Sequence, residues 1–189
     1  MDTFVLNIMG APCAGKTALA HGIMFLLKSS NIHCEHVPEY AKGKMYEESH
    51  KTLDVQDYVF GKQLLHTTRC NNKVEVIVTD APLLHSIIYD SNNDPEFKAL
   101  VLKRHNQFST LNIFLNRAHP YDSTGRYQSE EDADKIGENV KQLLRDLNID
   151  FIELNSGLKT PWTLLKIIKE RLNQPDRKYL YAGEFGIFM

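Results

Sequence analysis

The chain has 189 residues, 42% of them hydrophobic and 24% charged. That is the composition of a soluble globular protein, long enough to bury roughly two thirds of its unfolded surface in one domain without disulfides or structural metals. A formal net charge of -2 gives no global pull toward nucleic acid or anionic membrane, and no apolar stretch reaches the ~18 residues of a membrane span.

"TFVLNIM" (3 to 9) predicts a buried central strand, and Thr17 to Ser29 carries apolar residues at helical period. "HCEHV" (33 to 37) predicts an edge strand stopped by Pro38, and "VQDYVFGKQLLHTTRC" (55 to 70) an amphipathic helix. "VEVIV" (74 to 78) is a β-branched strand run that ends at Thr79 and Asp80. Helices follow around Leu83 to Tyr89 and Pro95 to His105, then a strand "LNIFL" (111 to 115). A polar, turn-rich stretch leads to a helix from Ser129 to about Leu147, with a capping pattern in "SEED". "FIEL" (151 to 154) is a fifth strand, and "TPWTLLKIIKERLN" (160 to 173) is a helix with proline in its first turn.

Strands alternating with helices imply a parallel five-stranded sheet covered on both faces, a three-layer α/β/α sandwich. Ligands bind such sheets beyond the carboxyl ends of the strands, where Gly10, Glu39, Asp80 and Asn116 emerge. The expected organisation is one domain over 1–189, with a lid at about 116–129 and a tail at 174–189. The start "MDTFVLNIMG" lacks the basic region of a secretory signal, and three cysteines without CxxC spacing argue against a disulfide framework, so a cytoplasmic setting is expected.

"GAPCAGKT" matches G-x-x-x-x-G-K-[ST], the phosphate-binding loop of P-loop NTPases, with a strand before it and a helix after it. Gly10, Ala11, Pro12, Cys13, Ala14, Gly15, Lys16, Thr17 and Ala18 are therefore the expected nucleotide-binding residues. The glycines let backbone N–H groups turn toward phosphate oxygens, Lys16 neutralises the β- and γ-phosphates, and the Thr17 hydroxyl suits Mg²⁺. ATP and Mg²⁺ are the expected cofactors.

Asp80 is placed to hold Mg²⁺ together with Thr17, directly or through water; its plain reading is a helix N-cap ahead of Ala81-Pro82, and the two roles are compatible. Glu39 is either the base that takes a proton from an attacking hydroxyl or a solvent-facing glutamate after a proline turn. Arg117 and Arg126 flank "AHPYDSTG" and suit a lid that closes over a triphosphate, with a solvated loop arginine as the plain alternative. Gln63, His66 and Arg69 share a helix, read either as an acceptor-contacting face or, more simply, as exposed positions. His33 and His36 are expected on opposite faces of their strand, and no histidine pair has metal-ligand spacing.

These residues together resemble a family: the nicotinamide riboside kinase domain of the NadR type and its phage relatives among small P-loop kinases. The resemblance rests on "GAPCAGKT", "PEYAK", "VFGKQLLHTTRC", "VIVTDAPLLHSIIY" and "NIFLNRAHPYDSTGR", and runs from about Thr3 to Ser156. It implies that Asp80 and Glu39 lie around the metal and nucleoside, and that Arg126 is a lid residue. The chain departs from the bacterial pattern by Pro12 and Cys13 in the loop and by an aromatic tail, and no adenylyltransferase or DNA-binding domain is expected ahead of it.

The activity expected from this is transfer of the γ-phosphoryl group of ATP to a nucleoside- or nucleotide-like acceptor. One rival is a kinase of hydroxymethylated bases in DNA, with "KALVLKRH" (98 to 105) or "PDRKY" supplying a basic groove. The other is a nucleotide-hydrolysing ATPase or switch, disfavoured because no N-K-x-D follows a later strand and no "SGGQ" occurs.

Overall fold

A computed structural model describes residues 2–122 and 129–178. The elements run β1 (Phe4–Met9), α1 (Lys16–Ser29), β2 (Cys34–Val37), α2 (Tyr40–Tyr46), α3 (His50–Leu53), α4 (Gln56–Cys70), β3 (Val76–Thr79), α5 (His85–Tyr89), α6 (Pro95–His105), β4 (Ser109–Asn116), α7 (Glu130–Asp146), β5 (Ile152–Asn155) and α8 (Thr160–Arg171). Every strand and long helix expected from the pattern is present, with ends moved by a few residues. Helices α2 and α3 were not expected. "YAKGKMY" buries no residue, so it shows no apolar stripe by which a helix could be read.

The five strands form one sheet in the order β2-β3-β1-β4-β5, and every pairing is parallel. Side chains alternate across β1. Phe4, Leu6 and Ile8 pack with Leu19, Ile23 and Leu27 of α1 and Leu164 and Ile168 of α8. Met9 packs on the other face with Phe60 of α4, Leu83, Leu84, Phe97 of α6, Phe114, and Val140 and Leu144 of α7. Each fully buried Leu or Ile contributes about 1.5–3 kcal/mol, so both layers are held by burial across the central strand. Asn7 interrupts the apolar pattern, and its amide donates to Asn112 Oδ1 at 2.8 Å across the β1–β4 pair.

Sequence signals at the ends of α7 and α8 act as expected. Ser129 and Asp132 form a capping box on α7, and Pro161 sits in the first turn of α8. Cys13, Cys34 and Cys70 are free thiols. Among the described residues no helix is long and apolar enough to cross a membrane.

An open hollow of about 560 Å³ lies between His33, Glu75 and residues 173–177. His33 and Glu75 precede β2 and β3, so this hollow is at the end of the sheet opposite the phosphate loop. Arg177 pairs there with Glu75 at 2.7 Å and also bonds the Asn31 carbonyl. Arg177 is therefore spent on anchoring the chain, which removes one of the two cations suggested for a nucleic-acid groove in "PDRKY".

Candidate active site

The loop between β1 and α1 is shaped by three residues with positive φ: Gly10 at 145°, Cys13 at 65° and Gly15 at 87°. A Cβ on Gly10 would lie 2.5 Å from the Leu115 carbonyl oxygen of the neighbouring strand. Only glycine tolerates both that backbone conformation and that approach. Gly10→Ala is expected to cost about 3 kcal/mol, from backbone strain plus overpacking, and to lower the midpoint of thermal unfolding by about 10 °C in a chain of this size. An unchanged midpoint would show that the loop has another conformation available.

Gly15 is the N-cap of α1 and no side chain caps the helix there, so the first-turn N–H groups remain for an anion. Lys16 Nζ donates to the Gly10 and Ala11 carbonyls at 3.0 and 2.9 Å, which holds the ammonium over the mouth of the loop. Ala11, Pro12, Cys13 and Ala14 are buried, Gly15, Lys16 and Thr17 half-buried, and Ala18 exposed. A Cβ on Gly137 of α7 would come within 3.1 Å of Ala11 Cβ, so α7 packs directly on the loop. The segment after β4 also crosses it: the Asp122 N–H donates to Cys13 Sγ at 3.3 Å.

Asp80 emerges from β3 and is 4% exposed. It accepts from the Thr17 hydroxyl at 2.6 Å and lies 3.4 Å from His36 Nε2. The capping alternative fails, because α5 starts only at His85 with Leu84 at its N-cap, and the carboxylate is turned to Thr17 instead. Burial pushes the Asp80 carboxyl up, but the hydrogen bonds from His36 and Thr17 outweigh it and hold the group below the usual carboxylate range. An ionised carboxylate and a hydroxyl oxygen converging at one point are hard oxygen donors, so this pair fits Mg²⁺.

Glu39 occupies the N-cap position of α2 without a capping hydrogen bond from its side chain. It is half-buried, which sets aside the fully solvent-facing reading, and its charge reaches the Tyr89 phenol, whose pKa is raised by burial first and Glu39 second. β2 and β3 are neighbours with Val37 opposite Thr79, so Glu39 and Asp80 leave adjacent strand ends.

Gln63 departs from expectation. It is not an exposed position of α4 but 5% exposed, accepting from the Tyr40 N–H at 3.3 Å and donating to Thr79 Oγ1 at 3.3 Å. One buried amide thus ties the start of α2, and with it Glu39, to the end of β3. Arg69 is exposed and His66 half-buried, so the three residues do not form one contact face. Near the same edge, Tyr40 and Tyr58 hydroxyls meet at 3.2 Å, and Lys62 lies 5.2 Å from the Tyr58 ring centroid.

Arg117 leaves β4 and forms ion pairs with Glu130 at 2.9 Å and Asp134 at 2.8 Å on α7, and it lies over the Tyr121 ring at 5.2 Å. Its Nη1 is buried with no hydrogen-bond partner among the described residues. The arginine is therefore braced against α7 rather than solvated. Arg126 lies outside the described residues. Reading the sequence missed His36 and His85, both close to Asp80 in charge interaction. The TD-x₄-H spacing carries no recognised chemistry, so only the folded arrangement brings His85 forward.

A parallel sheet of order 2-3-1-4-5, with a glycine-bounded loop between its central strand and first helix and an acid at the end of the adjacent strand, defines a P-loop NTPase fold. The chain belongs to the AAA domain family, whose model matches residues 5–160. Among solved structures, the NadR protein in complex with NR superposes with a TM-score of 0.63 at 16% identity, covering 94% of this chain and 52% of that one. The NadR protein in complex with NAD and AMP-PNP gives 0.60 at 18% identity, covering 93% and 50%. Thymidylate kinase from Ehrlichia chaffeensis gives 0.56 at 10% identity, covering 89% and 99%. The chain thus spans about half the length of the NadR chains, and at these identities the likeness is one of fold, a P-loop kinase-like one. A search of curated proteins found no match.

Proposed function

We propose that this protein is an ATP-dependent phosphotransferase that moves the γ-phosphoryl group of ATP to a hydroxyl of a nucleoside- or nucleotide-like acceptor, with nicotinamide riboside the first acceptor to test. The observation that carries this reading is the pair of adjacent strand ends. Asp80 closes on Thr17 at 2.6 Å, while Glu39 stands on the neighbouring strand's exit, tied to β3 through Gln63. One acid then serves the nucleotide and the other faces an acceptor, a division of labour that a simple hydrolase or switch does not require.

In this reading the backbone N–H groups of residues 11–17 and Lys16 bind the β- and γ-phosphates. Thr17 and Asp80 would hold Mg²⁺, which when bound neutralises charge on the phosphate oxygens. Glu39 takes the acceptor's hydroxyl proton as its oxygen bonds to the γ-phosphorus, and the bond from that phosphorus to the β–γ bridging oxygen breaks, releasing ADP. Arg126, which lies outside the described residues, is the cation the reading reserves for closure over the transferring group, while Arg117, held by Glu130 and Asp134, braces the start of a lid at about 116–129 against α7, with the chain read as one domain over 1–189.

Incubation with γ-labelled ATP and separate panels of nucleosides, nucleotides and hydroxymethylated duplex DNA tests the proposal. Label on a small nucleoside or nucleotide supports it, and label on DNA selects the rival kinase. Free phosphate with no labelled acceptor would sink both. Glu39→Gln is expected to leave ATP affinity within about twofold and reduce kcat about 10²-fold, the usual contribution of a positioned base. Full activity in that variant removes Glu39 from the mechanism.

A further inference from the structure

His85, the first residue of α5, has a role that neither the phosphate-loop motif nor the packing of the fold demands. Its Nε2 is buried and has no hydrogen-bond partner among the described residues. Buried polar atoms nearly always find a partner, and one that does not has given up its water without replacement. Yet His85 is not a core residue sealed from ligands. It is only half-buried as a whole, its ring meets Tyr89 edge-on at 6.5 Å one turn further along, and it interacts electrostatically with both Lys16 and Asp80.

Charge narrows what the nitrogen can be for. Burial, and after it the Lys16 ammonium, push the imidazole down to about 3, with Asp80 only partly opposing them. In the ligand-free chain the ring is therefore neutral near pH 7 and, as the Nε2–H tautomer, offers a donor that adds no charge of its own to that of Lys16. His85 opens α5 five residues after Asp80, in the segment that carries the chain away from the end of β3, so its buried nitrogen lies on the Asp80 side of the loop, where the proposed function puts the terminal phosphates; its charge interactions with Lys16 and Asp80 agree with that placement.

We infer that His85 is a γ-phosphate-binding residue: its Nε2–H donates a hydrogen bond to an oxygen of the terminal phosphoryl group, so that the nitrogen is satisfied only when a nucleoside triphosphate fills the loop. His85 thereby distinguishes a triphosphate from a diphosphate. The inference rests on the nucleotide half of the proposed function and is independent of the acceptor.

The test is equilibrium binding of AMP-PNP and of ADP, each with Mg²⁺, to the wild type, His85→Leu and His85→Gln, together with thermal unfolding of the three ligand-free proteins. Leucine fills the volume without a donor, and glutamine returns an N–H close to the Nε2 position. His85→Leu is expected to weaken AMP-PNP about tenfold or more, as loss of a hydrogen bond to a charged group does, while ADP stays within about twofold and His85→Gln recovers most of the loss. Ligand-free His85→Leu is expected to unfold at no lower temperature than the wild type, because an orphaned polar atom is exchanged for an apolar one. Equal losses for both nucleotides, no loss for AMP-PNP, or a clear drop in the ligand-free unfolding temperature would each overturn the inference. A wild type that shows the discrimination but phosphorylates no acceptor ends the kinase reading and leaves His85's role intact. Binding of neither nucleotide ends both.

Discussion

Lys16→Ala is expected to lower nucleotide turnover by about 10³-fold or more, the scale associated with removing a preorganised charge from a phosphoryl-transfer site. The ammonium is already held over the loop by the Gly10 and Ala11 carbonyls at 3.0 and 2.9 Å, so phosphate binding needs little reorganisation of the side chain. Its removal deletes both that preorganisation and the only positive charge within "GAPCAGKT". Stability should change little, because Lys16 is the first, half-buried residue of α1 and alanine is at least as good a helix former. Lys16→Arg should not restore the rate, since a planar guanidinium cannot take the compact position of an ammonium. Turnover of labelled ATP, read beside thermal unfolding, checks all of this. A variant that keeps even a tenth of wild-type turnover would remove the loop lysine from the chemistry.

Asp80→Asn is expected to be the second most damaging change, lowering Mg²⁺-dependent turnover by about 10²- to 10³-fold. Asparagine preserves the shape and can still accept from the Thr17 hydroxyl with its one oxygen, so the loss reports the charge together with the changed contact to His36. The same variant has a stability signature. The folded carboxyl sits below its unfolded value because the hydrogen bonds from His36 and Thr17 outweigh its burial. A group lowered in this way contributes stability above the ordinary carboxylate pKa near ~3.9 and loses it as pH falls through the lower folded value. Measured without added Mg²⁺, the wild type should therefore lose stability on acidification below about pH 4 more steeply than Asp80→Asn. Parallel curves would mean that the His36 and Thr17 contacts do not stabilise the charged form. Wild-type turnover in Asp80→Asn would move the metal elsewhere.

Much of this candidate site's layout could be read before the fold was known, for reasons that differ from residue to residue. Gly10, Gly15, Lys16 and Thr17 announce themselves because a phosphate loop is built from backbone geometry, and its needs fall on consecutive residues. Asp80 and Glu39 could be placed at one crevice because parallel strands all point their carboxyl ends the same way. Gln63 could not be read. An amide on an amphipathic helix looks like solvent-facing polarity until it is found 5% exposed, with Tyr40 N–H on one side and Thr79 on the other. Arg117 was legible as a cation near the site, but its braces, Glu130 and Asp134, lie 13 and 17 residues away. His85 lies in a segment that carries the family resemblance, but its own role gave no signal, since a buried nitrogen without a partner among the described residues is a property of surroundings that no local spacing encodes.

By itself the sequence determined the layered parallel α/β fold, the nucleotide loop, and the acids at the strand ends. Those features follow from hydrophobic period and from a motif whose chemistry is contiguous along the chain. The tertiary structure alone decided what each side chain faces: Asp80 on Thr17 and His36 rather than on a helix end, Gln63 inside rather than out, Arg117 braced on α7, and His85 with a buried Nε2 that has no partner among the described residues. The physical reason is that hydrogen bonds and desolvation act over a few ångströms between residues dozens of positions apart, and only the packed chain sets those distances.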